Sequence, residues 1–72
     1  MKEYLEQTRQ FYMDLWAFHL GMLLDYQKNC DTDGTLKRVS DESMQLAKRY
    51  GETDFVCQMI VAVVDEIERT VK

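Results

Sequence analysis

Apolar and polar positions recur with a helical period along most of the chain, and the pattern is widest between residues 2 and 28. At about 100° per residue, one edge of that stretch carries Tyr4, Phe11, Phe18 and Met22. The middle carries Leu5, Tyr12, Leu15, His19, Leu23 and Tyr26. The far edge carries Met13, Trp16, Leu20 and Leu24. Polar residues, with Asp14, Gly21, Asp25 and Lys28 among them, fill what is left. The apolar arc covers roughly two thirds of the circumference, whereas a surface helix usually shows a stripe of about 100°. The pattern therefore predicts a long helix 1 that must be covered on all sides but one.

The polar cluster Asn29-Cys30-Asp31-Thr32-Asp33-Gly34 predicts the end of helix 1 and a turn, with Thr35 to Val39 as a connector. Ser40 has the chemistry of an N-cap, with Asp41 and Glu42 in the following turn. Val39 and Met44 have the spacing of a hydrophobic staple. Helix 2 is thus expected over 40–50, with Gly51 just beyond its end. Thr53 is the expected cap of helix 3, which runs over 54–70 with Val56, Ile60, Val63, Ile67 and Val71 as its stripe. The β-branched run Val61-Ala62-Val63-Val64 suits a strand, but the helical period continues through Asp65 to Arg69 and a lone strand would have no partner. The fold class expected is all-α: residues 1–72 as one small three-helix domain with a long helix 1, a short helix 2 and a long helix 3. A short helix 2 cannot cover the two long ones, which predicts dimerisation through helix 1.

Composition changes this picture little. With 46% apolar and 31% charged residues and no proline, the chain reads as a folded domain. At 72 residues its stability margin is thin, which again favours a partner. The net charge of −4 disfavours nucleic acid and anionic membrane surfaces. The start, MKEYLEQTRQ, has no apolar core of a signal peptide, and the run 11–24 is too short to span a bilayer. A soluble, cytoplasmic protein without a membrane association is the expectation. Cys30 and Cys57 are separated by the length of helix 2, too far for a disulfide, and are expected as free thiols.

Two stretches resemble motifs that carry chemistry. Residues 29–40 resemble an EF-hand loop, with Asn29, Asp31 and Asp33 as the first, third and fifth positions, Gly34 as the sixth and Leu36 as the eighth. The pattern departs at the ninth position, Lys37, and at the twelfth, where Ser40 replaces the bidentate glutamate. A calcium-responsive module is the function this resemblance implies, and a capped turn is the stronger reading. Residues 46–60 resemble the first helix and turn of a helix-turn-helix, through Ala47, Gly51 and Ile60. That resemblance implies a DNA-binding transcriptional regulator. Glu52 and Cys57 depart from the pattern, and the second helix has no lysine or arginine before Arg69, so a tight turn between packed helices is favoured.

His19 is the only histidine and lies among apolar neighbours, as a core histidine does. No second group stands at a spacing that would make it a metal ligand or a catalytic base. No cofactor, metal or enzymatic activity is expected. The aromatics at the arc edges suit a protein interface. Tyr4, Phe11, Trp16, Phe18, Leu20 and Leu24 are the expected partner-binding residues. The function expected is a non-enzymatic interaction module, a small adaptor, regulator or inhibitor. It is expected to form a homodimer or to bind a different protein.

Overall fold

The computed structural model describes residues 1–71, all but a few of them in three helices, α1 (Lys2–Asn29), α2 (Thr32–Arg49) and α3 (Asp54–Val71). No strand occurs among the described residues. α1 sets the long dimension: 28 residues at about 1.5 Å each give the 42 Å of the principal extent. All three helices contact one another. α2 runs antiparallel to α1 after a two-residue link. α3 runs parallel to α1, since Phe55 at its start packs on Phe11 and Val71 at its end accepts a hydrogen bond from the Thr32 hydroxyl.

The core is one cluster along the bundle axis: Phe11, Leu15, Phe18 and Met22 from α1, Val39 and Leu46 from α2, and Val56, Ile60, Ile67 and Val71 from α3. The α3 stripe read from the sequence is this set, with Val63 half-buried beside it. Thr53 caps α3 as expected, accepting the Val56 N–H at 3.2 Å. At the end of α2, Gly51 takes φ +83°. Its N–H bonds the Lys48 carbonyl while the Glu52 N–H reaches back to Ala47, the crossed pair that closes a helix end in a left-handed turn.

Helix 2 differs from the expectation. It begins at Thr32 and not at Ser40, and has 18 residues, as many as α3. The polar cluster that reads as a loop is a two-residue turn plus a first helical turn. Cys30 adopts the left-handed conformation at φ 52°, and Asp31 caps α2 by accepting the Gly34 N–H at 3.0 Å. Asp31 is the better-placed cap because Thr35 and Val39, one turn apart, are then both buried on the inner side of α2. Ser40 lies inside the helix, its carbonyl accepting from the Ser43 hydroxyl. Val39 is buried and Met44 exposed, so the staple does not form. The EF-hand-like stretch 29–40 is mostly helix, and Asp31 turns its carboxylate to a backbone amide.

The polar strip of α1 also has a different place. Asp14 and Asp25 face α2 rather than water. Asp25 accepts from Arg38 and from the Thr35 hydroxyl, the latter at 3.3 Å and fully buried. Asp14 accepts from the Tyr50 hydroxyl and from Arg49 at 3.3 Å. These ties, about three turns apart on α1, set the rotation of α1 about its own axis.

Candidate protein-interaction surface

That rotation decides which part of the apolar arc is covered. The edge with Phe11, Phe18 and Met22 turns into the core together with Leu15. The opposite edge, and part of the middle, turns away from the bundle. Trp16 is 68% exposed, Leu24 55% and Met13 53%, with Leu5, Tyr12 and Leu20 beside them. From Tyr12 to Leu24 they form an apolar strip along the outer side of α1, and exposed Arg9 stands between Leu5 and the rest.

Two of the six residues expected at the interface therefore belong elsewhere. Phe11, at 2% exposed, and Phe18 are core residues. Phe11 is held there by edge-on contacts with Tyr50 and Phe55, at ring-centre distances of 5.1 and 5.9 Å. Trp16, Leu20 and Leu24 lie together on the outer strip. Tyr4 is exposed but stands apart, over an open cleft between the first turns of α1 and the α2–α3 turn, lined also by Thr8, Tyr50, Thr53 and Phe55.

The structure adds residues that the edge pattern passes over. Tyr12 and Met13 are exposed on the strip, and Leu5 lies beyond Arg9 toward the first turn. Phe55, at the start of α3, meets Tyr12 edge-on with ring centres 6.3 Å apart and extends the apolar surface onto a second helix. The signal for Phe55 in the sequence is its position one step off the α3 stripe. No such signal exists for the direction in which the wide arc of α1 is turned.

Beside this surface the polar groups are in structural service. The Tyr50 hydroxyl holds the Asp14 carboxyl below its ordinary value; burial opposes this, and Gln10 and Arg49 assist. Burial, and then the Asp14 carboxylate, pushes the Tyr50 phenol up to about 12. Both cysteines are free thiols, Cys30 exposed and Cys57 half-buried. Among the described residues no three His, Cys, Asp or Glu side chains gather as a metal site would require, and no helix is long and apolar enough to cross a membrane. The outward positions of α3 from Asp54 to Glu66 are apolar or acidic apart from Gln58, and Arg69 is exposed in its last turn.

Comparison with protein-family models, with curated proteins and with solved structures gives no match.

Proposed function

We propose that the chain is a non-enzymatic protein-interaction module, an adaptor, regulator or inhibitor that works by covering or being covered along the outer side of α1. The observation that carries this reading is Trp16. It lies in the middle of a contiguous apolar strip and is more than two thirds exposed, although the bundle behind it already has a complete core. Contiguous apolar surface of this kind marks interaction sites, and tryptophan is among the residues that dominate binding when covered. The only basic side chain of α3, Arg69, lies in its last turn and pairs with Glu66, so the start of α3 lacks the basic groups that phosphate and base contacts use and favours no DNA-binding reading.

The test is a comparison of two baits, the wild-type chain and Trp16→Glu, immobilised and exposed to the lysate of cells that also express an untagged copy. A protein held by the wild type and lost by Trp16→Glu, with the helical circular dichroism of the two baits alike, is the expected result. Identical recovery by both baits would sink the reading.

A further inference from the structure

Resting on that interaction reading, we infer that the occupant of the α1 strip is a second copy of this chain, packed antiparallel across a two-fold axis near Trp16. Three properties of the strip point to self-pairing.

The first is its layout. Trp16 sits next to the midpoint of Lys2–Asn29. Tyr12 and Leu20 lie one turn to either side of it, and Leu5 and Leu24 lie further out toward the two ends. A two-fold interface uses the same patch on both subunits, so the patch must complement itself. Antiparallel pairing about Trp16 does this at the centre, where the apolar turns on either side of Trp16 face each other. Tyr12 then meets Leu20 of the partner subunit. Further out, Leu24 stands level with Thr8 of the partner subunit and Leu5 with Gln27 of the partner subunit. α2 lies on the far side of α1, and α3 flanks the strip at Phe55, beside Tyr12.

The second is area. Leu5, Tyr12, Met13, Trp16, Leu20, Leu24 and Phe55 are each 40 to 68% exposed. With about 200 Å² for a large side chain, they offer on the order of 700 Å² together, close to the roughly 800 Å² that one partner brings to a standard interface. Complete burial of all seven, Phe55 of α3 included, would supply most of one partner's share of such an interface.

The third is charge. The first turns of α1 carry Glu3 and Glu6 together with Lys2 and Arg9, and its last turns carry Lys28 together with Asp25, so each end holds both signs of charge. Antiparallel pairing brings Lys28 of the partner subunit level with the Glu3–Glu6 end at both ends of the dimer, and opposes the two helix dipoles. Parallel pairing would set like charges level with each other.

Two measurements on the full chain test this. The first is the mass in solution by light scattering over a concentration series. The expected value is twice the 8.6 kDa of one chain, and Trp16→Glu should weaken the dimer by at least about 30-fold. The second is cross-linking with a short bis-maleimide. In one chain position 2 and Cys30 stand at opposite ends of α1, about 42 Å apart, so a Lys2→Cys, Cys57→Ala chain cannot link them within itself. In the antiparallel dimer each Cys30 lies beside position 2 of the other subunit, and a 2-to-30 linked dimer is expected. A dimer that links Cys30 to Cys30 overturns the antiparallel arrangement. A mass of 8.6 kDa at every concentration overturns self-pairing while the bait comparison still decides the interaction reading. A dimer that Trp16→Glu leaves intact overturns pairing through the α1 strip.

Discussion

The phenolic hydroxyl of Tyr50 donates to the carboxylate of Asp14, and this bond joins the last turn of α2 to the middle of α1. The Tyr50 ring meanwhile packs edge-on against Phe11. One side chain thus holds a core aromatic in place and fixes the direction in which α1 turns its apolar strip. Tyr50→Phe keeps the ring contact and removes only the hydroxyl. A hydrogen bond to a charged group contributes about 1.5–3 kcal/mol, and the partial exposure of this one places it near the lower end. Chemical denaturation should show a loss of about 1.5 kcal/mol.

The same pair sets the pH response. Asp14 has a lowered value in the folded chain, so its contribution is complete above the ordinary carboxylate value of about 3.9 and is lost as the pH falls through the folded value. Tyr50 has a raised value, so its contribution is complete below about 10 and is lost as the pH rises toward about 12. Denaturation midpoints measured from pH 7 down to pH 2 should fall less steeply for Asp14→Asn than for the wild type. Ultraviolet titration should find the Tyr50 phenol ionising only as the pH rises toward about 12.

Gly21 and Gly34 are both helical and should respond oppositely to alanine. A Cβ on Gly21 meets nothing within 4 Å. Gly21→Ala should therefore gain about 1 kcal/mol, seen as a rise of about 4–8 °C in Tm. A Cβ on Gly34 would run into the Asp31 carboxylate that caps α2. Gly34→Ala trades the cap for helix propensity and should gain nothing, and Asp31→Ala should cost about 1 kcal/mol. Thermal melts of the three variants side by side check this.

The two faces of α1 should separate cleanly under mutation. Phe11→Ala empties a fully buried site and should cost about 3–5 kcal/mol, enough to threaten a domain of this size. Trp16→Ala touches no core residue and should leave the stability of the isolated chain within about 0.5 kcal/mol while weakening association. Urea titrations at a concentration low enough to keep the chain monomeric would read the first effect without the second.

Much of this fold is legible in the sequence. The α3 stripe from Val56 to Val71, the Thr53 cap and the glycine after Tyr50 are local features, and each is found where the pattern puts it. The start of α2 is not legible in the same way. Asn29 to Gly34 has the composition of a loop, and only the burial of Thr35 shows that the helix has already begun. Of the residues expected at an interface, Trp16, Leu20 and Leu24 share the exposed strip and Tyr4 is exposed apart from it, whereas Phe11 and Phe18 are in the core. An arc as wide as that of α1 does not say which third of it faces the other helices. Asp14 and Asp25 decide this by pairing with Tyr50, Arg49 and Arg38, contacts that span 13 to 36 residues of chain and leave no periodic signal.

The two links also set the order of events in time. Cys30-Asp31 and the four residues 50–53 are short, so each helix docks on its neighbour in sequence by closing a small loop at little entropic cost. Helical bundles built this way fold in about microseconds to milliseconds. Two protein molecules at about 1 μM, associating at about 10⁵–10⁷ M⁻¹s⁻¹, find each other over about 0.1–10 s. The chain is thus folded long before any association could occur, and the side of α1 is presented as a rigid, preformed rod rather than as a segment still to be ordered.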